Sequence, residues 1–160
     1  MRYKIIILVL ILIGIMTGCI NGPVKPYEFR QEFDHITSIE IAQKEYGYGD
    51  STAPMNIIKT LETSEYRAVI DAILDIPGQR IVPSNNGFGP YIIIISYDNG
   101  EKEYLGAYNN GYVSADGKLK QDSYTFDREC FYELISSCLG KEITPPTGPD
   151  PTVPTSDTNT

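Results

Sequence analysis

Apolar and polar positions follow three rhythms along the chain. Residues 5–16 form an almost unbroken apolar run. From Ile36 to Glu45 the rhythm is two: Ile36, Ser38 and Glu40 alternate with Thr37, Ile39 and Ile41, as in a half-buried strand. Met55 to Leu61 reads as its return strand, with the turn-rich Gly47-Tyr48-Gly49-Asp50-Ser51 between them. The rhythm then becomes helical. Tyr66, Val69, Ile70, Ile73 and Leu74 share one face, Thr63 stands at the N-cap position, Glu65 lies in the first turn, and Pro77-Gly78 ends the segment. A strand-rich block follows: Arg80 to Pro83 as an edge candidate, Tyr91 to Tyr97, Lys102 to Tyr108, Tyr112 to Ala115 and Leu119 to Tyr124. A second helix, with Thr125 at its cap, carries Phe126, Cys130, Phe131, Leu134, Ile135, Cys138 and Leu139 on one stripe and stops at Gly140. The order ββα-ββββ-α predicts an α+β fold, an antiparallel meander sheet with both helices packed on one face.

The turn at Asp98-Asn99-Gly100-Glu101 predicts a register. A two-residue type I′ loop at Asn99-Gly100 pairs Tyr97 with Lys102, Ile95 with Tyr104, Ile94 with Leu105 and Tyr91 with Tyr108. One face then carries Ile92, Ile94, Leu105 and Ala107, which the aliphatic stripes of the helices should cover. The other presents Tyr91, Ile93, Ile95, Tyr97, Tyr104 and Tyr108 toward solvent or a partner. Tyrosine is amphipathic and loses little entropy when held, so this face is a candidate surface for a protein or peptide partner. Cross-strand aromatic pairs stabilising a half-exposed sheet is the other reading, and a covering segment is a third.

The first 26 residues read differently. Met1-Arg2-Tyr3-Lys4 is a basic start, and the apolar run of about 12 residues is shorter than the roughly 20 that a spanning helix needs. Thr17, Gly18 and Cys19 follow, completing the pattern of a secretory signal over residues 1–18. Residues 19–26, with Asn21-Gly22-Pro23 and Pro26, read as a tether, 27–140 as one globular domain, and 141–160 as a Pro/Thr-rich disordered tail.

Met16-Thr17-Gly18-Cys19 resembles the bacterial lipobox, in which a small residue precedes the modified cysteine. The resemblance implies lipidation of the Cys19 sulfur, cleavage before Cys19 and a lipid anchor on the extracytoplasmic side of the cell membrane. With Ile36-Thr37-Ser38-Ile39-Glu40-Ile41, the helix from Thr63 to Leu74 and the run from Tyr91 to Gly100, the chain is similar to small uncharacterised envelope lipoproteins of Firmicutes and some archaea. No site residues come with that likeness.

Composition narrows the chemistry. The 160 residues carry a net charge of −8, and loss of Arg2 and Lys4 with the leader leaves 11 basic against 21 acidic residues. That balance disfavours a nucleic-acid partner, which needs a basic face. One His and two Cys beyond the leader leave little for a catalytic triad, a metal site or a cofactor. Cys130 and Cys138, about 12 Å apart on one helix, lie beyond disulfide reach and read as buried free thiols. Glu32, Asp34 and His35 read as a solvated surface, because Asp34 and His35 point to opposite faces of an extended segment. Asn86-Gly87-Phe88-Gly89 lacks the Lys-Ser/Thr and helix start of a phosphate loop. The expected function is a non-catalytic, membrane-anchored binding module. An inhibitor or immunity-type protein guarding the envelope is the alternative, and an enzyme working with carboxylates alone is the third.

Overall fold

A computed structural model describes residues 26–44, 55–80, 89–122 and 124–145. The leader, Cys19, the tether through Lys25, the loop at 47–51, residues 81–88 and the tail beyond Pro145 lie outside the described residues. The elements in chain order are β1 (Ile36–Lys44), β2 (Met55–Thr60), α1 (Tyr66–Asp75), β3 (Gly78–Arg80), β4 (Tyr91–Tyr97), β5 (Lys102–Gly106), β6 (Asn110–Val113), β7 (Leu119–Gln121), β8 (Tyr124–Phe126) and α2 (Arg128–Leu139). Six strands form one antiparallel sheet in the order β2-β1-β4-β5-β6-β7, and β3 pairs with β8 in a separate ribbon. The fold is α+β. Consecutive strands β4 to β7 make the meander, and β1 joins it by pairing with β4, so the β1–β2 hairpin extends the same sheet.

One face of the sheet and both helices share a single core. Ile39 and Ile41 of β1, Ile93, Ile95 and Tyr97 of β4, and Leu105 of β5 pack with Val69, Ile70 and Ile73 of α1 and Phe131, Tyr132 and Ile135 of α2. Leu74, placed on the α1 stripe by its spacing, is 40% exposed. A smaller cluster of Ala42, Ile92 and Ile94, with Met55 and Tyr104 against it, occupies the opposite face.

The hairpin is one residue out of the expected register. Ile93 pairs with Leu105, Ile94 with Tyr104 and Ile95 with Glu103. The loop has three residues, Asp98-Asn99-Gly100. Tyr97 N–H donates to the Glu101 carbonyl (3.0 Å), and Gly100 N–H donates to the Tyr97 carbonyl (3.1 Å). A type I′ turn would need positive φ at Asn99 and Gly100 alike. Only Gly100 takes it (φ 83), and no described non-glycine residue does. Asn99 instead accepts the Glu101 N–H on its Oδ1 (2.9 Å), which fixes a turn followed by a glycine bulge. Because strand side chains alternate, a slip of one residue exchanges the faces: Ile93 and Ile95, not Ile92 and Ile94, meet the helices.

The helix caps also differ from expectation. Before α1, Thr63–Glu65 is a 3₁₀ turn, and Glu62 occupies the N-cap, its N–H donating to Glu65 Oε2 at 2.7 Å. Asp127 caps α2, its Oδ1 accepting the Cys130 N–H at 3.0 Å, while Thr125 lies in β8. A carboxylate serves both helix starts better than a hydroxyl because the macrodipole adds to the hydrogen bond. Gly140 ends α2 in the left-handed conformation, as its position suggests. The stretch from Leu119 to Tyr124 divides: β7 completes the meander and β8 turns away to β3.

Candidate functional site

The four tyrosines of the expected binding face do not share a surface. Tyr97 and Tyr108 are buried in the main core. Tyr91 is half-buried beside it, its ring edge-on to Tyr132 at 6.0 Å. Tyr104 alone points to the opposite face, where it packs on the Ala42–Ile92–Ile94 cluster. The expectation of a common outward tyrosine face is therefore overturned: the one-residue change in register turns Tyr91 and Tyr97 inward, and Tyr108 lies beyond the end of β5, where strand alternation no longer sets its side. Cys19 lies outside the described residues.

The side chain that the pattern overlooks is Glu103. In β5, Glu103 and Leu105 are two residues apart and face the same way, so the alternation that buries Leu105 also buries Glu103. Glu103 is fully buried. A buried carboxylate needs donors, and Glu103 has three. Tyr97 Oη donates to Oε1 at 2.7 Å, Tyr27 Oη to Oε2 at 2.6 Å, and the Arg30 backbone N–H to Oε1 at 2.6 Å. Burial raises the Glu103 pKa above the ordinary glutamate value, against these three hydrogen bonds, which pull it down. Burial first, and then the Glu103 charge, push the Tyr27 and Tyr97 hydroxyls far above the usual tyrosine range, so both remain donors.

Two of the three donors come from residues 26–31, an irregular strap outside every helix and strand. Its Tyr27 ring lies 5.1 Å from Phe29, 5.3 Å from Tyr124 and 5.2 Å from Phe126. The Arg30 guanidinium sits 3.5 Å from the Tyr112 ring centroid, and Gln31 Nε2 donates to Glu101 Oε2 at 2.9 Å. Cross-strand pairing sets Ile39, Ile95, Glu103, Tyr112 and Lys120 side by side across five strands. This row passes from dry to wet, and the strap lies over its wet half. The strap could have been suspected from the sequence, because Glu103 alternating with Leu105 and Ala107 on one strand face requires partners from elsewhere.

The remaining candidates resolve simply. His35 lies in a 3₁₀ turn, Phe33–His35, and its Nδ1 is 2.9 Å from Asp98 Oδ2. Its partner is across the hairpin loop rather than Asp34 beside it. The hydrogen bond to Asp98, and then that residue's charge, raise the imidazole pKa, and the pair is exposed. Cys130 and Cys138 are free, but half-buried rather than buried. Asp127, at the α2 cap, and burial raise the Cys130 pKa, whereas burial leads at Cys138. Among the described residues no group of His, Cys, Asp or Glu is arranged to hold a metal ion, and no helix is long and apolar enough to cross a membrane.

Comparison of the chain with protein-family models, with curated proteins and with solved structures finds no match.

Proposed function

We propose that this chain is an extracytoplasmic lipoprotein, anchored in the cell membrane through lipidated Cys19, whose α+β domain is a non-catalytic protein- or peptide-binding module. The observation that supports this most is the place where the domain begins. Tyr27, only eight residues after Cys19, is already buried and hydrogen-bonded to Glu103. Eight residues reach at most about 28 Å, so an acyl group on Cys19 holds the domain close to the bilayer. The basic start, the short apolar run and Gly18-Cys19 supply the matching processing signal. Acylation by two chains would make the attachment stable where a single chain would not.

For binding, the buried tyrosines leave the strand edge as the better surface. Among the described residues β2 pairs with β1 alone, and Ile57 and Ile58 are exposed there. An exposed edge strand offers backbone groups to an extended peptide, with side-chain contacts adding selectivity.

Expression of the full chain in a lipoprotein-processing host tests the anchor. Wild type should carry a mass increment of diacylglycerol on an N-terminal Cys19 and float with membranes. Cys19→Ser should leave the precursor unprocessed and unlabelled. A mature wild-type protein starting at any other residue would refute the reading. For the edge, extended peptides selected on the full chain should lose binding to Ile57→Lys/Ile58→Lys while its melting is unchanged.

A further inference from the structure

We infer that residues 26–31 are a latch that opens and closes on the folded domain, with Glu103 as its catch. The inference rests on the anchored reading above for its consequence, but not for its mechanism. Three features make the strap separable. It lies outside every strand and helix, so its opening breaks no sheet ladder. The Tyr27 hydroxyl and the Arg30 N–H converge on one carboxylate, so they engage or fail together. That carboxylate is fully buried, and two of its three donors sit on the strap.

The last feature lowers the cost of opening. Burying a carboxylate is costly, and its donors offset the cost only in part. When the strap lifts, Glu103 loses two donors but regains water and keeps Tyr97. The loss that water does not return is mainly the contact of Tyr27 with Tyr124 and Phe126, the packing of Phe29 on the core and the stacking of Arg30 on Tyr112. By contrast, opening β4 or β5 would expose Ile93, Ile95 and Leu105, all fully buried. Local opening of this kind draws on the weakly held parts of a fold.

Opening changes the height of the domain. Closed, the span from Cys19 to the first held residue, Tyr27, is eight residues. Open, it runs from Cys19 to Phe33, where the 3₁₀ turn held by His35 and Asp98 begins, 14 residues that reach at most roughly 50 Å against about 28 Å. The latch therefore selects between a domain held near the bilayer and one that stands away from it.

Native-state hydrogen exchange on the full chain, at several urea concentrations below unfolding, tests the latch. The Arg30 amide should exchange at least about 100-fold faster than those of Ile93 and Leu105, with little dependence on urea, as local opening requires. Tyr27→Phe removes one donor to a charged acceptor and should speed Arg30 exchange about 10–100-fold while the β4 and β5 amides stay as they were. Glu103→Gln should change Arg30 exchange in the same selective way. Arg30 sharing the protection and urea slope of Leu105, or Tyr27→Phe loosening β4 and β5 equally, would overturn the proposal, because the strap would then belong to the single cooperative unit. Exchange reads the latch whether or not Cys19 carries lipid, and the mass of the mature N-terminus reads the lipid alone, so the two failures are distinct.

Discussion

Glu103 gives the domain a pH dependence opposite in sense to that of its surface carboxylates. Burial raises its pKa above 4.5, so between 4.5 and the raised value the folded chain holds a proton that the unfolded chain has released. Stability from protonated Glu103 is complete below 4.5 and is lost as pH climbs through the raised pKa. Glu65, Glu101 and Asp116 have lowered values, set first by hydrogen bonds from the Glu62 backbone, Gln31 and Ser114 respectively. Their contributions are present above the ordinary carboxylate values and disappear as pH falls. Urea midpoints followed from pH 4 upward should therefore show a decline in wild type that Glu103→Gln lacks, and superimposable profiles would show that burial leaves Glu103 unshifted. Tyr97→Phe should cost about 1.5–3 kcal/mol in the same assay, the value of a hydrogen bond to a charged group. At His35, whose raised pKa comes from Asp98, an NMR titration of Asp98→Asn should move the imidazole midpoint down toward 6.5 with melting little changed, since the pair is exposed.

At the scale of elements, two glycines make different demands. Gly100 holds the left-handed turn in open space, so Gly100→Ala should cost about 1–2 kcal/mol from conformation alone. Gly78, in β3, lies directly under the Tyr124 ring and hydroxyl, where a methyl group has no room. Gly78→Ala should push Tyr124 aside, loosen the β3–β8 ribbon and cost more than Gly100→Ala in urea unfolding. The hairpin shows what periodicity reveals. The strands Tyr91–Tyr97 and Lys102–Gly106 and the turn between them are legible because alternation and Asn-Gly are local signals. The register is not, because Asn-Gly serves two-residue and three-residue loops alike, and the choice turns on the sign of φ at Asn99. The caps show the same limit: Glu62 and Asp127 stand within two residues of Thr63 and Thr125, and composition does not rank them. Glu103 was half legible, since its strand face marks it as buried, but its partners Tyr27 and Arg30 are 76 and 73 residues away. No local pattern carries pairings of that span.

Over the whole molecule the sheet has a deeply buried side and an edge that holds little weight. Ile95→Ala, under both helices, should open a cavity and cost about 2–5 kcal/mol. Ile57→Ala, nearly half exposed on β2, should stay within about 0.5 kcal/mol of wild type. Thermal or urea unfolding that ranks them the other way would place the core on the wrong face. The free thiols add a chemical probe of the helix that spans this core. Both have raised pKa values, so thiol reagents should modify native Cys130 and Cys138 more slowly than the same residues in urea, with rates that rise with pH as thiolate forms.

The long span between Tyr27 and Glu103 also sets an order of events in time. Made at about 5–20 residues per second, the chain needs about 4–15 s after Tyr27 before its catch exists. During that interval the N-terminal segment has nothing to dock on, and β1 likewise waits for β4, some 50–60 residues later. The strap is thus made early but held only once the middle of the chain exists.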